Sequence, residues 1–144
     1  MTFKAGDPEA VRRFLGIHLN LITEKPQYIL GLSQAEYALK VVENYEQAHG
    51  RKVREMTTTG QAGSPPIPKE QEKCSAPKRA RKSLGEESYM GRAVRMDICQ
   101  GVSRISRFLE RWCPWAEAEH YHLMGYIFAT AGYVLHYIYC GEPW

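Results

Sequence analysis

Apolar residues recur along this chain at steps of three and four over four stretches, with a long polar interruption between the second and third. In the first stretch Val11, Phe14, Leu15, His18, Leu19 and Ile22 share one helical face. Asp7 is placed to cap its opening amides, and Pro8 suits the first turn because the amide hydrogen it lacks would be unpaired there. Pro26 ends it. The second stretch has the clearest start signal. Ser33-Gln-Ala-Glu36 spells a capping box, Leu32 is placed to pack on Tyr37, and Ala38, Val41, Val42 and Tyr45 follow on one face before His49-Gly50 closes the helix. With residues 27–32 as a short connection, these two helices predict a hairpin.

Residues 55–84 lack apolar periodicity and carry several breakers, among them Gly60, Gly63, Pro65, Pro66 and Pro68. Such a stretch buries too little surface to offset its ordering entropy, and the expectation is a disordered basic linker. Beyond it, Met90, Val94, Ile98, Val102, Ile105, Leu109 and Trp112 make an unbroken stripe that predicts one helix over residues 86–112. Cys113-Pro114 breaks that run. A last helix, apolar nearly all round, is expected over residues 114–139, with Glu117 and Glu119 in the first turn where the helix dipole favours acids. The pattern therefore predicts an all-α protein: a hairpin over residues 1–54, a linker over 55–84, and a hairpin over 85–144, combined as a four-helix bundle.

Charge sharpens this picture only by its distribution. The net charge of +3 is too small to diagnose a nucleic-acid binder. The excess is concentrated in residues 55–83, where six Lys/Arg face three Asp/Glu, whereas residues 84–144 carry five against seven. Cys74, Cys99, Cys113 and Cys140 follow no paired spacing, and Met1-Thr-Phe-Lys opens a polar stretch without a signal-peptide core. Free thiols in an intracellular chain are the expectation.

Two basic features carry candidate chemistry. Pro77-Lys78-Arg79-Ala80-Arg81-Lys82 resembles a monopartite nuclear localisation signal, a compact basic run read in extended form by a nuclear import receptor. The resemblance implies Lys78, Arg79, Arg81 and Lys82 as import residues and a nuclear and cytoplasmic distribution. A phosphate on the adjacent Ser83 would weaken such pairing. The plain alternative is a solvated segment with no address. The second feature is the polar side of the 86–112 helix, where Arg92, Arg95, Arg104, Arg107 and Arg111 could track a phosphate backbone through planar guanidinium pairing. No lysine follows Lys82, and a merely solubilising face usually mixes lysine in. Against this, any surface helix carries charge opposite its apolar stripe.

The last helix offers aromatic anchors instead. Trp112, Trp115, Tyr126, Tyr133 and Tyr137 are of the type that dominates protein interfaces, so a protein partner or self-association is the competing reading. A membrane span over residues 123–140 is disfavoured by its histidine, tyrosines and missing basic flank. Cys113, His120, His122 and Cys140 lack the spacing of a metal site, and no nucleophile elbow or phosphate-binding glycine loop is present. No metal, cofactor or enzymatic activity is expected. The function these residues point to is a non-enzymatic nuclear protein that binds nucleic acid through its arginine face, in the class of viral accessory proteins and nuclear adaptors. The alternative is an adaptor or self-assembling protein.

Overall fold

Residues 17–21 also alternate: Ile17, Leu19 and Leu21 stand two apart, with His18 and Asn20 between them. Side chains two apart share one face of a strand, a conformation that β-branched residues favour. A computed structural model of the chain, which describes residues 13–24 and 27–140, resolves the ambiguity in favour of strands. β1 (Arg13–Phe14), β2 (Ile17–Glu24) and β3 (Gln27–Ser33) form an antiparallel meander. The protein is therefore mixed α and β, which corrects the all-α, helical-bundle expectation. The helix start expected at Asp7-Pro8 and its stop at Pro26 lie outside the described residues.

β1 and β2 are joined by Leu15-Gly16, both at positive φ (50° and 79°), the conformation of a two-residue type I′ hairpin turn. Gly16 adopts it freely, whereas Leu15 crowds its own Cβ. The Tyr89 hydroxyl donates to the Leu15 carbonyl at 2.7 Å and holds the turn against the helices. Leu15→Asn should raise stability by up to about 1 kcal/mol, read as a higher urea midpoint, because asparagine tolerates this region. A lower midpoint would show that the exposed leucine contributes packing that outweighs its backbone strain.

β3 feeds α1 (Ala35–His49), which buries Ala38, Val41, Val42 and Tyr45, and Gly50 ends it in the left-handed region with its N–H on the Glu46 carbonyl. Glu36, expected to reach back to its own helix start, pairs instead with Arg13 at 3.0 Å and His18 at 3.4 Å. Three further helices follow: α2 (Lys78–Ala93), α3 (Cys99–Ser106) and α4 (Pro114–Ala129). The stripe predicted as one helix is buried at Met90, Val94, Ile98, Val102 and Ile105, yet two helices carry it. Val94 leaves helical geometry, and a 3-10 turn at Met96–Ile98 intervenes where Asp97 takes the Arg95 guanidinium. The last predicted helix also divides. After Thr130-Ala131-Gly132 the chain becomes β4 (Val134–Cys140), rich in β-branched and aromatic residues, and pairs antiparallel with β3.

The stretch expected as a disordered linker is an ordered strap followed by the first turns of α2. Between α1 and α2 residues 54–61 run along α4. The Met56 N–H donates to the Gly125 carbonyl at 3.2 Å, and the Gln61 N–H donates to Glu119 at 3.0 Å. Thr58 Oγ1 lies 2.9 Å from His122 Nε2. Few apolar side chains anchor this strap; bonds to α4 hold its first part and bonds between Cys74–Ala76 and Leu109–Trp112 hold its last, which composition alone does not reveal. Gly125 makes the approach possible, since an added Cβ would overlap the Arg54 carbonyl oxygen and lie 2.6 Å from Met56 Cγ.

One core cluster joins α1, α2, α3 and α4 through residues such as Tyr45, Leu84, Ile105 and Leu123. Among the described residues no strand residue belongs to it. The sheet extends from the end of the helical body where β3 enters α1 and α4 leaves for β4. Its register aligns Leu19, Leu32 and Leu135 in one rung, Leu21, Leu30 and Tyr137 in the next, and Tyr28 with Tyr139 beyond them, all on one face.

Candidate nucleic-acid interface

α2 begins at Lys78 after Pro77, with no side-chain cap and no acid in its first turn. Lys78, Arg81, Lys82, Gly85, Tyr89 and Arg92 follow at helical steps of three and four, and all are exposed. Basic residues at the positive end of a helix dipole, and two lysines four apart, are each unfavourable by a few tenths of a kcal/mol. Arg81 offsets part of this by pairing with Glu110 at 2.8 Å, and Arg79 by lying 3.6 Å from Glu117. Lys78, Lys82 and Arg92 have no ion-pair partner among the described residues. Beside Arg92 a groove opens between α2 and α3, lined by Glu87, Ser88, Gly91, Cys99, Ser103 and Ser106, with the exposed Arg107 following α3.

The five arginines read from the sequence are not brought to one surface. Arg92 and Arg107 are exposed. Arg95 is only 2% exposed and grips Asp97 through two bonds while donating to the carbonyl and hydroxyl of Thr130. Burial works to raise the Asp97 carboxyl, and the Arg95 bonds override it to hold that group below its usual value. Arg104 lies 3.4 Å from the fully buried Glu119 and over the Trp115 ring. Arg111 donates to the Gln71 carbonyl. These three arginines serve the fold.

The import-like run is helical, so reading it as an extended peptide requires the first turns of α2 to unwind. Ser83 points inward, 6% exposed, and donates to Glu87 Oε1 at 3.2 Å. The aromatic set is divided as well. Trp112 donates its indole N–H to Glu117, Trp115 packs on Phe108, and Tyr126 donates to Asp97. Tyr133 and Tyr137 are half exposed, at the entry to β4 and within it.

Sequence reasoning missed a polar cluster inside the helical body. Glu87 and His120 are both fully buried and meet at 2.8 Å, with the Tyr45 and Trp112 rings edge-on to the imidazole. His49 stacks on Tyr45, and its Nε2 lies 3.1 Å from Glu117 and 3.2 Å from Arg79 Nε. Burial and the Glu117 charge push the Tyr45 hydroxyl up to about 12. Burial opposes ionisation of Glu117 too, but the Trp112 N–H and the His49 and Arg79 charges keep it below its usual value. A signal existed: Ser83 and Glu87 continue the Met90–Val94 stripe backwards by helical steps, so a carboxylate stood in phase with the core.

Among the described residues no three His, Cys, Asp or Glu side chains form a group that could hold a metal ion, and no helix is long and apolar enough to cross a membrane. No protein-family model, no curated protein and no solved structure matches this chain.

Proposed function

We propose that the chain is a non-enzymatic nucleic-acid-binding protein whose contact surface is the exposed side of α2, extended by Arg107 beyond the groove with α3. The observation that carries this reading is that Lys78, Lys82 and Arg92 share the outer side of one helix without acidic partners among the described residues. A row of phosphates relieves the repulsion among these cations and complements the positive end of the α2 dipole. Serines along the groove are suited to hydrogen-bond phosphate or sugar oxygens, contacts that position a strand without reading its bases. The surface thus includes two residues of the import-like run and two of the five arginines, and excludes Arg95, Arg104 and Arg111.

Fluorescence anisotropy with labelled single- and double-stranded oligonucleotides over a salt series tests it. Affinity should fall steeply with salt. Lys82→Glu/Arg92→Glu should weaken binding and reduce the log–log salt slope by about 0.9 for each duplex phosphate the variant no longer neutralises. Absence of binding at low salt, or a slope unchanged in the double variant, would remove α2 from this role.

A further inference from the structure

We infer that the groove between α2 and α3 receives one unstacked, amino-bearing base of a bound single strand, and that its amino group donates to Glu87. This inference rests on the α2 reading above and adds base selection to it. The groove is built at helical spacing: Glu87, Ser88, Gly91 and Arg92 on α2 face Cys99 and Ser103 on α3. Gly91 lets the two helices approach closely, since an added Cβ would lie 3.0 Å from Cys99 Sγ.

The atom that points to a ligand is Glu87 Oε2. Glu87 is fully buried, and its Oε1 is taken by the His120 ring at 2.8 Å and the Ser83 hydroxyl at 3.2 Å. Oε2 has no hydrogen-bond partner among the described residues. A carboxylate oxygen held out of water without a donor is costly, so it marks a place where a donor is to be supplied. His120 and Ser83 occupy the inner side of the carboxylate, and the groove is the side from which that donor arrives.

The walls select the occupant. His120 already meets the Glu87 charge from inside, so the free oxygen calls for a neutral N–H rather than a second full cation. The carboxylate keeps phosphate off the floor and leaves it at the rim, where Arg92 is exposed. A nucleotide meets both demands in one unit, anionic outside and an N–H donor inside. The Ser88 and Ser103 hydroxyls, each a donor and an acceptor, suit the ring nitrogen and carbonyl that flank a base. The groove holds about 250 Å³, short of the roughly 300–1,000 Å³ of sites for larger ligands and well above the roughly 30 Å³ share of one water. That is room for a single base. Cytosine fits the chemistry best, because its N4 amino group pairs with a glutamate. Uracil turns a carbonyl oxygen to the same corner, and the carboxylate repels it. Duplex bases are stacked and paired, so a single strand is what delivers one.

Fluorescence anisotropy of the full chain with short deoxycytidine and deoxyuridine homopolymers of equal length, at neutral pH and one salt concentration, tests this. The two strands present the same phosphates. The native protein should bind the deoxycytidine strand at least about fivefold more tightly, the effect of one added hydrogen bond to a charged group. Ser103→Leu, which fills the groove from an exposed position of α3, should bring that ratio close to one. In Glu87→Gln the carbonyl oxygen should keep the bonds from Ser83 and His120 and turn the amide NH₂ to the groove, reversing the preference toward deoxyuridine. Should Glu87→Gln not fold, Ser103→Leu carries the comparison. Equal affinity of the native protein for both strands overturns this inference and leaves the α2 reading standing. A cytosine preference that survives either substitution overturns it too, placing base selection elsewhere. Absence of binding to both strands overturns the α2 reading itself, and this inference with it.

Discussion

Glu87→Ala is expected to lower folding stability by about 3–5 kcal/mol, the usual cost of stranding one member of a buried ion pair. Glu87 takes the His120 imidazole and the Ser83 hydroxyl on a single oxygen, and both Glu87 and His120 are fully buried. Without it, His120 faces the Tyr45 and Trp112 rings with no anion in contact. Burial tends to lower the His120 pKa, yet the Glu87 charge and hydrogen bond, helped by the Glu117 charge, outweigh this and raise it above the usual 6.5. A proton bound more tightly in the folded chain than in the unfolded one stabilises the fold fully below the unfolded value. That contribution is lost as pH rises through the folded value. Urea midpoints should therefore decline as pH climbs above about 6.5. Glu87→Gln, which keeps the shape and removes the charge, should flatten the decline. An equally steep profile in Glu87→Gln would assign the pH dependence to other groups.

Gly125→Ala is expected to destabilise the protein by about 2 kcal/mol, although alanine is the better helix former by about 1 kcal/mol. The sign is decided by space. Gly125 lies inside α4 directly beneath the strap, and the added methyl would meet backbone at Arg54 as well as the Met56 side chain. Moving the strap breaks the Met56–Gly125 bond and disturbs the polar contacts at Thr58 and Gln61. Gly85→Ala provides the control, since Gly85 lies on α2 with nothing within 4 Å of an added Cβ. It should gain up to about 1 kcal/mol. Paired urea titrations read both, and equal shifts in the two variants would mean that the strap is not seated on Gly125.

The parts of this fold that are legible in the sequence are those where local pattern and tertiary packing agree. α1 is one: its buried positions and its glycine stop are local signals. The core stripe from Met90 to Ile105 is another, because burial follows spacing even where the helix breaks. The strands escape a reading by period because leucine-rich segments fit two periods at once; Leu15, His18, Leu19 and Ile22 suit a helix while Leu19, Leu21, Leu30 and Leu32 suit a strand. Only pairing partners distant in the chain decide between them, as β4 does for β3. Composition misjudges the strap for a related reason, since its hydrogen bonds go to residues far along the chain, to α4 from its first part and to residues 109–112 from its last. The arginines show the limit for the site. Spacing places five on one side of a helix, but whether an acid waits at Asp97 or Glu119 is a tertiary fact.

The same long-range closures bear on how the chain is made. The strap's seat and the outer neighbour of β3 both lie within residues 114–140, α4 and β4. On a ribosome, residues 13–61 therefore emerge well before the elements that hold them. Until β4 clears the exit tunnel, the nascent chain presents the outer edge of β3 to solvent with its backbone groups unpaired. Such exposure is what holdase chaperones recognise, and it makes the pace of late synthesis a determinant of soluble yield.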